Sequence, residues 1–189
     1  MRPTVVKFCL GAGVLTVAVA MLALAQNTPL PDSGRRDAKV AQVVALDECD
    51  PATFNVALGA DFCKNIALGA STTLPNLLAE AAAGTPDPNW DFEPDTLHIK
   101  EGTVVSVTDE GGEPHTFTEV KHFGGGFIAQ LNGPGEHTIP ECSGGFGKVA
   151  VARTRMLQGS QLQVTGLAPG EHFFQCCIHP WMRVKVEVK

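Results

Sequence analysis

The sequence predicts a mainly β protein, a β-sandwich or barrel, preceded by a small helical extension. Three observations carry that expectation. Beyond Asn89 the apolar residues alternate with polar ones at the period of a half-buried strand, as in Leu97 and Ile99 against Thr96, His98 and Lys100. Turn pairs such as Glu101-Gly102 and Pro169-Gly170 punctuate these runs at short intervals, the spacing of a sandwich. Between residues 40 and 88 the signals are instead helical, with Pro near each start and Gly after each end.

Residues 1–25 read as a secretory signal peptide. Arg2 and Lys7 precede an apolar run from Phe8, which ends in Ala23-Leu24-Ala25, a small-x-small pattern for cleavage before Gln26. An uncleaved N-terminal anchor is the other reading of the same run, whose length approaches a bilayer span. Residues 26–39, polar and punctuated by Pro, read as a linker. Residues 40–88 form the helical extension. Within it Asp50 caps a short helix from Pro51 to about Leu58 with Gly59 as its stop, and residues 73–84 place Leu74, Leu77, Leu78 and Ala81 on one face of a second. Residues 89–189 are the β domain. Its first two strands, around Leu97–Ile99 and Val105–Val107, read as a tight pair joined at Glu101-Gly102. Later strands fall at 160–167, 171–177 and 183–188, and the glycine-rich stretch 121–148 reads as a long loop.

The chain has 14 basic and 20 acidic residues in 189, a net charge of −6. Loss of Arg2 and Lys7 with the signal leaves 12 basic residues and a net charge of −8. Such a chain repels nucleic acid and anionic lipid, so neither is an expected partner. Apart from the N-terminal run no apolar stretch is long enough to span a membrane, so the rest of the chain is expected to be secreted or periplasmic. In that compartment Cys49 and Cys63, which flank the first helix, are expected to form a disulfide bond. Cys142 and Cys177 either pair with each other or leave Cys142 as a surface thiol. With Cys9 removed, five cysteines remain, so at least one stays outside any internal disulfide.

The chemistry concentrates in "FFQCCIHPWM", residues 173–182, and in "GEPHTFTEV", which carries His115. Cys176, His179 and Met182 come from one tight loop, and His115 comes from a distant strand. A thiolate, two imidazoles and a thioether together suit copper, held in a trigonal site with a weak axial Met, whereas zinc has little use for the thioether. Strand alternation turns Phe174 and Cys176 one way and Phe173, Gln175 and Cys177 the other. His98, His122, His137 and His172 lack any such context and are expected to be ordinary surface or core residues.

These features resemble the cupredoxins, the type 1 blue copper proteins, and in particular their plastocyanin-like and amicyanin-like members. The resemblance covers about residues 89–189 and rests on "FEPDTLHIKEGTVVSV", Pro114-His115, "LAPGEHFFQC" and the C-x-x-H-P-x-M pattern from Cys176 to Met182. It implies a Greek-key β-sandwich binding one copper through His115, Cys176 and His179, with Met182 axial. The two-residue gap to His179 selects Cys176 over Cys177. It also implies one-electron transport between Cu(II) and Cu(I), and a second ligand His whose edge reaches solvent within an apolar patch; here Pro180 and Trp181 either form that patch or, in the other reading, Trp181 packs under the loop. The chain departs from the family at Asp109, where an Asn often braces the ligand loop. It also departs in its longer His115-to-Cys176 interval, in Cys177, and in residues 40–88.

The function expected is therefore that of a copper-binding electron carrier acting as a monomer with a redox partner protein. A periplasmic copper-holding or delivery protein, using the same ligands without a redox partner, is the alternative. An enzyme is not expected: multicopper oxidases flank the ligand Cys with His, and here the flanks are Gln175 and Cys177.

Overall fold

The computed structural model describes residues 39–65 and 71–189. The signal segment, and all of the linker but residue 39, lie outside the described residues. Two four-stranded sheets enclose the core, in agreement with a β-sandwich. The first sheet runs β2 (Asp91–Glu93), β1 (Val40–Leu46), β4 (Val104–Asp109) and β8 (Gln161–Val164). The second runs β3 (Thr96–Ile99), β10 (Arg183–Val188), β9 (Gly170–Gln175) and β6 (Thr118–Val120). A short ladder joins β5 (His115–Thr116) to β7 (Arg155–Met156).

The alternation read in the sequence is what fills the space between the sheets. Val184, Val186 and Val188 of β10 are buried while Arg183, Lys185 and Glu187 are only partly so. They share one core with Val43 and Ala45 of β1 and with Val105 and Val107 of β4. Phe117 bridges the layers. Its ring stacks on Phe174 of β9 at 4.5 Å and meets Phe92 of β2 edge-on at 5.2 Å. Each such aromatic contact adds about 1 kcal/mol to the area it buries.

Two expectations change. Residues 40–46, read with the helical extension, form β1, an inner strand parallel to β4 with Val40 opposite Val104 and Ala45 opposite Asp109. "VAQVVAL" is a short, nearly continuous apolar run, and such a run fits a buried strand as well as a helix. The parallel pairing that decides it is with residues 64 positions further along the chain, Val40 opposite Val104. The strands flanking Glu101-Gly102 are also not paired with each other. Thr103 N closes a turn on Lys100 O at 3.1 Å, but β3 then belongs to one sheet and β4 to the other. A turn residue fixes the reversal of the chain; the sheet each arm joins depends on its distant partners, β10 for β3 and β1 for β4.

The two helices follow their punctuation. α1 (Pro51–Leu58) starts at Asp50, whose carboxylate accepts from Ala52 N and Thr53 N, and it ends at Gly59. α2 (Leu74–Ala83) starts at Thr73, ends at Gly84, and buries Leu77 and Ala81. The expected Cys49–Cys63 disulfide is present and ties the ends of the α1 segment. Its loop of 14 residues is worth about 3 kcal/mol by chain entropy.

The glycine-rich stretch is pinned against β9. Cys142 pairs with Cys177, resolving the choice left open by the sequence. Phe127 N donates to Cys177 O at 2.8 Å, and the Gln175 side chain both donates to Gly124 O and accepts from Gly124 N. Gly126 permits this close approach, since a Cβ there would lie 2.2 Å from Cys177 O. A further helix, α3 (Val149–Arg153), leads into β7. No helix among the described residues is long and apolar enough to cross a membrane.

Candidate metal centre

The connection from β9 to β10 presents the predicted loop. The ladder is still paired at Gln175 and Arg183, and between them Cys176 N donates to Met182 O at 3.1 Å while Met182 N donates to His179 O at 3.0 Å. Pro180 ends any continuation of the strand, so the seven residues fold back on themselves. His115 arrives from β5, held by Met156 and Thr116 by Arg155.

The structure brings His115, Cys176 and His179 together. One donor atom from each lies within 4.8 Å of the others, and all three residues are buried. Cys176 Sγ is 3.9 Å from His115 Nδ1 and 3.9 Å from His179 Nδ1. Two donors about 2.0 and 2.3 Å from a shared ion, about 120° apart, would be separated by about 3.7 Å, so this spacing fits a first-row metal. The donor set itself, one thiolate and two imidazoles, fits copper or zinc. Met182 is fully buried and its backbone is tied to both loop ligands. Cys176 is the free cysteine among the described residues, and Cys177, locked in its disulfide, cannot compete with it.

The site also carries groups that sequence reasoning missed. Asp47, just beyond β1, is buried and sits with Oδ2 2.9 Å from His115 Nε2. Its carboxylate also accepts from Glu113 N at 2.9 Å and from Cys49 N at 3.2 Å. Gly111 makes room for it: a Cβ there would fall 1.9 Å from Asp47 Oδ2. Glu113 Oε2 lies 3.4 Å from His179 Nε2 and accepts from Trp90 Nε1 at 2.8 Å. Each imidazole thus turns its Nε2 to a buried carboxylate and its Nδ1 to the sulfur. A His that donates its outer N–H to a carboxylate keeps its other nitrogen as a lone-pair donor, the arrangement metal-binding histidines need. In the sequence nothing marked Asp47, because its strand was not recognised.

Burial and these partners set the protonation states. Burial pushes the Cys176 thiol up, but His115 and His179 outweigh it and hold the thiol well below its ordinary range. Burial pushes His115 down, and the hydrogen bond to Asp47 with the charge of Cys176 overcomes it, raising His115 well above the usual value. Thr116 N at 3.4 Å and His179 N at 3.5 Å also point at the sulfur. Burial raises Glu113, with His179 opposing. Asp109 ends β4 fully buried. It accepts from Gly111 N at 3.2 Å, leaves Oδ2 without a partner, and is raised to about 7 by burial, with Asp47 adding and His115 opposing.

One expectation fails at this end of the molecule. His179 presents no imidazole edge to solvent; its side chain is 2% exposed. Trp181 packs edge-on against it at 5.6 Å, and Trp90 lies over it at 6.3 Å. The physical reason is residues 47–90, which bring Phe54 and Trp90 over the place where an open patch was expected. His98 and His172 pair instead with Glu187 and Glu119, away from the cluster.

No protein-family model and no curated protein matches the chain. Among solved structures it is similar to a purple cupredoxin from Nitrosopumilus maritimus, at 14% identity over 79% of this chain and 99% of that one, with a TM-score of 0.39. It is also similar to a Cu(I) form of a mutant amicyanin, at 22% identity over 52% of this chain and 73% of that one, TM-score 0.32. A reduced amicyanin mutant gives 24% identity over 51% and 71%, TM-score 0.31. The β-sandwich of this chain is read from its own strand order, two four-stranded sheets and a short ladder.

Proposed function

We propose that this protein binds one copper ion through His115 Nδ1, His179 Nδ1 and Cys176 Sγ, with Met182 as a weak axial ligand, and acts outside the cytoplasm as a one-electron carrier rather than an enzyme. The observation that carries the reading is the buried triangle of one thiol and two imidazole nitrogens, each 3.9 Å from the sulfur. Copper bound there would supply a Cu(II)/Cu(I) couple that moves one electron at a time. The chain's own residues hold the site for it. Asp47 and Glu113 fix the two imidazoles from behind, and the amides of Thr116 and His179 stabilise charge on the sulfur. The second cysteine is removed from competition by Cys142, and two disulfides suit an oxidising compartment.

Burial of all three donors favours a carrier over a copper-delivery protein, because a metal ion leaving the site must open the fold around it. The test is the visible spectrum after addition of Cu(II), followed by ascorbate. An intense thiolate-to-copper band that bleaches on reduction and returns on reoxidation is expected. Zinc or no metal bound in preference, with no band, overturns the reading.

A further inference from the structure

We propose that the cavity beside His179 is a binding site for a small, neutral aromatic molecule bearing a hydroxyl group, of the phenol or hydroquinone class. The inference rests on the proposed function only in taking His179 as a copper ligand. The cavity, of about 430 Å³, lies between the helices and the ligand end of the sandwich, and His179 and Glu113 form part of its wall. That volume falls within the ordinary range for small-molecule sites.

Access gives the first argument. His179 is buried under Trp90 and Trp181, so a flat protein surface laid on this end meets no imidazole edge. His179 borders the cavity, so a guest seated there lies beside the residue even though solvent hardly reaches it. What enters must therefore be small.

The lining gives its chemistry. Phe54, Phe62, Phe127 and Phe146 present four rings, which favour an aromatic guest through edge-to-face and offset contacts. Leucines from both helices, Leu58 and Leu77 among them, complete an apolar wall that cannot solvate a charge. Glu113 and Arg155, opposite in charge, both border the cavity, so neither an anion nor a cation is favoured by both; Trp90 N–H and His179 already face the carboxylate, and the guanidinium lies over the Phe146 ring at 4.6 Å. A neutral hydroxyl suits Glu113 in either protonation state, since it both donates and accepts.

The test is calorimetric titration of the metal-free full chain with three guests of one size: p-cresol, toluene and 4-methylcyclohexanol. One p-cresol per chain is expected. Toluene, lacking the hydroxyl, should bind about tenfold more weakly, the cost of one buried hydrogen bond. The saturated alcohol should bind about threefold more weakly for want of ring contacts. Leu78→Trp, at a half-buried position on α2, should abolish binding by filling the cavity, and Ile128→Trp should do so from the opposite wall if the first variant fails to fold. Equal affinity for the three guests, more than one p-cresol per chain, no binding, or binding untouched by the tryptophan that folds overturns the proposal. In the copper-loaded protein, saturating p-cresol should shift the visible band. An unshifted band overturns the contact with His179, whereas the absence of any band sinks the copper reading and leaves the calorimetric result standing.

Discussion

Asp109→Asn should make the metal-free protein more stable in a strongly pH-dependent way. The native carboxyl is raised from 3.8 to about 7 because it is buried, with one oxygen unpartnered and Asp47 nearby, against only partial relief from His115. A carboxyl whose folded value lies above its unfolded one holds its proton more tightly in the native state. Its contribution to stability is therefore present below pH 3.8 and is lost as the pH rises through 7. At about 1.4 kcal/mol per unit, roughly three units amount to about 4 kcal/mol lost once the group is fully ionised. Asn keeps the oxygen that accepts from Gly111 N and never ionises. Its amide N–H groups meet the same lack of partners as Oδ2, a penalty of about 1–3 kcal/mol that does not vary with pH. The informative quantity is thus a change in the gap. Between pH 5 and pH 8 the stability of the variant relative to wild type should grow by about 3 kcal/mol, most of it below pH 7. Urea melts at the two pH values, with unchanged m-values, measure it. A gap that stays constant across this range would mean that Asp109 is hydrated or paired well enough to ionise normally, and the account of the site's burial would be wrong.

Cys176→Ser should remove the visible copper band while Cys177→Ser preserves it, since Cys176 faces both imidazoles and Cys177 faces Cys142. The double variant Cys142→Ser/Cys177→Ser should nevertheless lose about 4 kcal/mol in urea melts, from freeing a loop of 35 residues; an unchanged midpoint would show that the disulfide does not form. Asp47→Asn should raise the reduction potential by on the order of 60 mV, a tenfold loss of preference for Cu(II), because the carboxylate behind His115 favours the higher charge. Voltammetry that finds no change would leave Asp47 as a packing residue. Met182→Leu should keep bound copper and its band and also raise the potential; loss of Cu(II) binding would make Met182 a support of the loop rather than an axial ligand.

Features that depend on neighbours along the chain were legible without the fold. Asp50-Pro51 and Gly59 bound α1 because caps and stops act within one helical turn, and the alternation of β10 marks its buried face because side chains in a strand point to opposite sides at a fixed period. The loop from Cys176 to Met182 was legible for the same reason: its ligand spacing is local, and only His115 had to be brought from elsewhere. Features that depend on distant partners were not. Nothing within residues 40–46 says strand rather than helix until β4 lies alongside, and nothing at Glu101-Gly102 says that its arms join different sheets until β1 and β10 take them up. The carboxylate behind His115 is 68 residues away, so Asp47 looked like any acidic residue after an apolar run. Cys142 and Cys177 had two consistent readings along the chain and one in space. The exposure of His179 turned on the same difference: the motif places the imidazole in the loop, but whether solvent reaches it depends on Trp90 and the helices, which the motif does not contain.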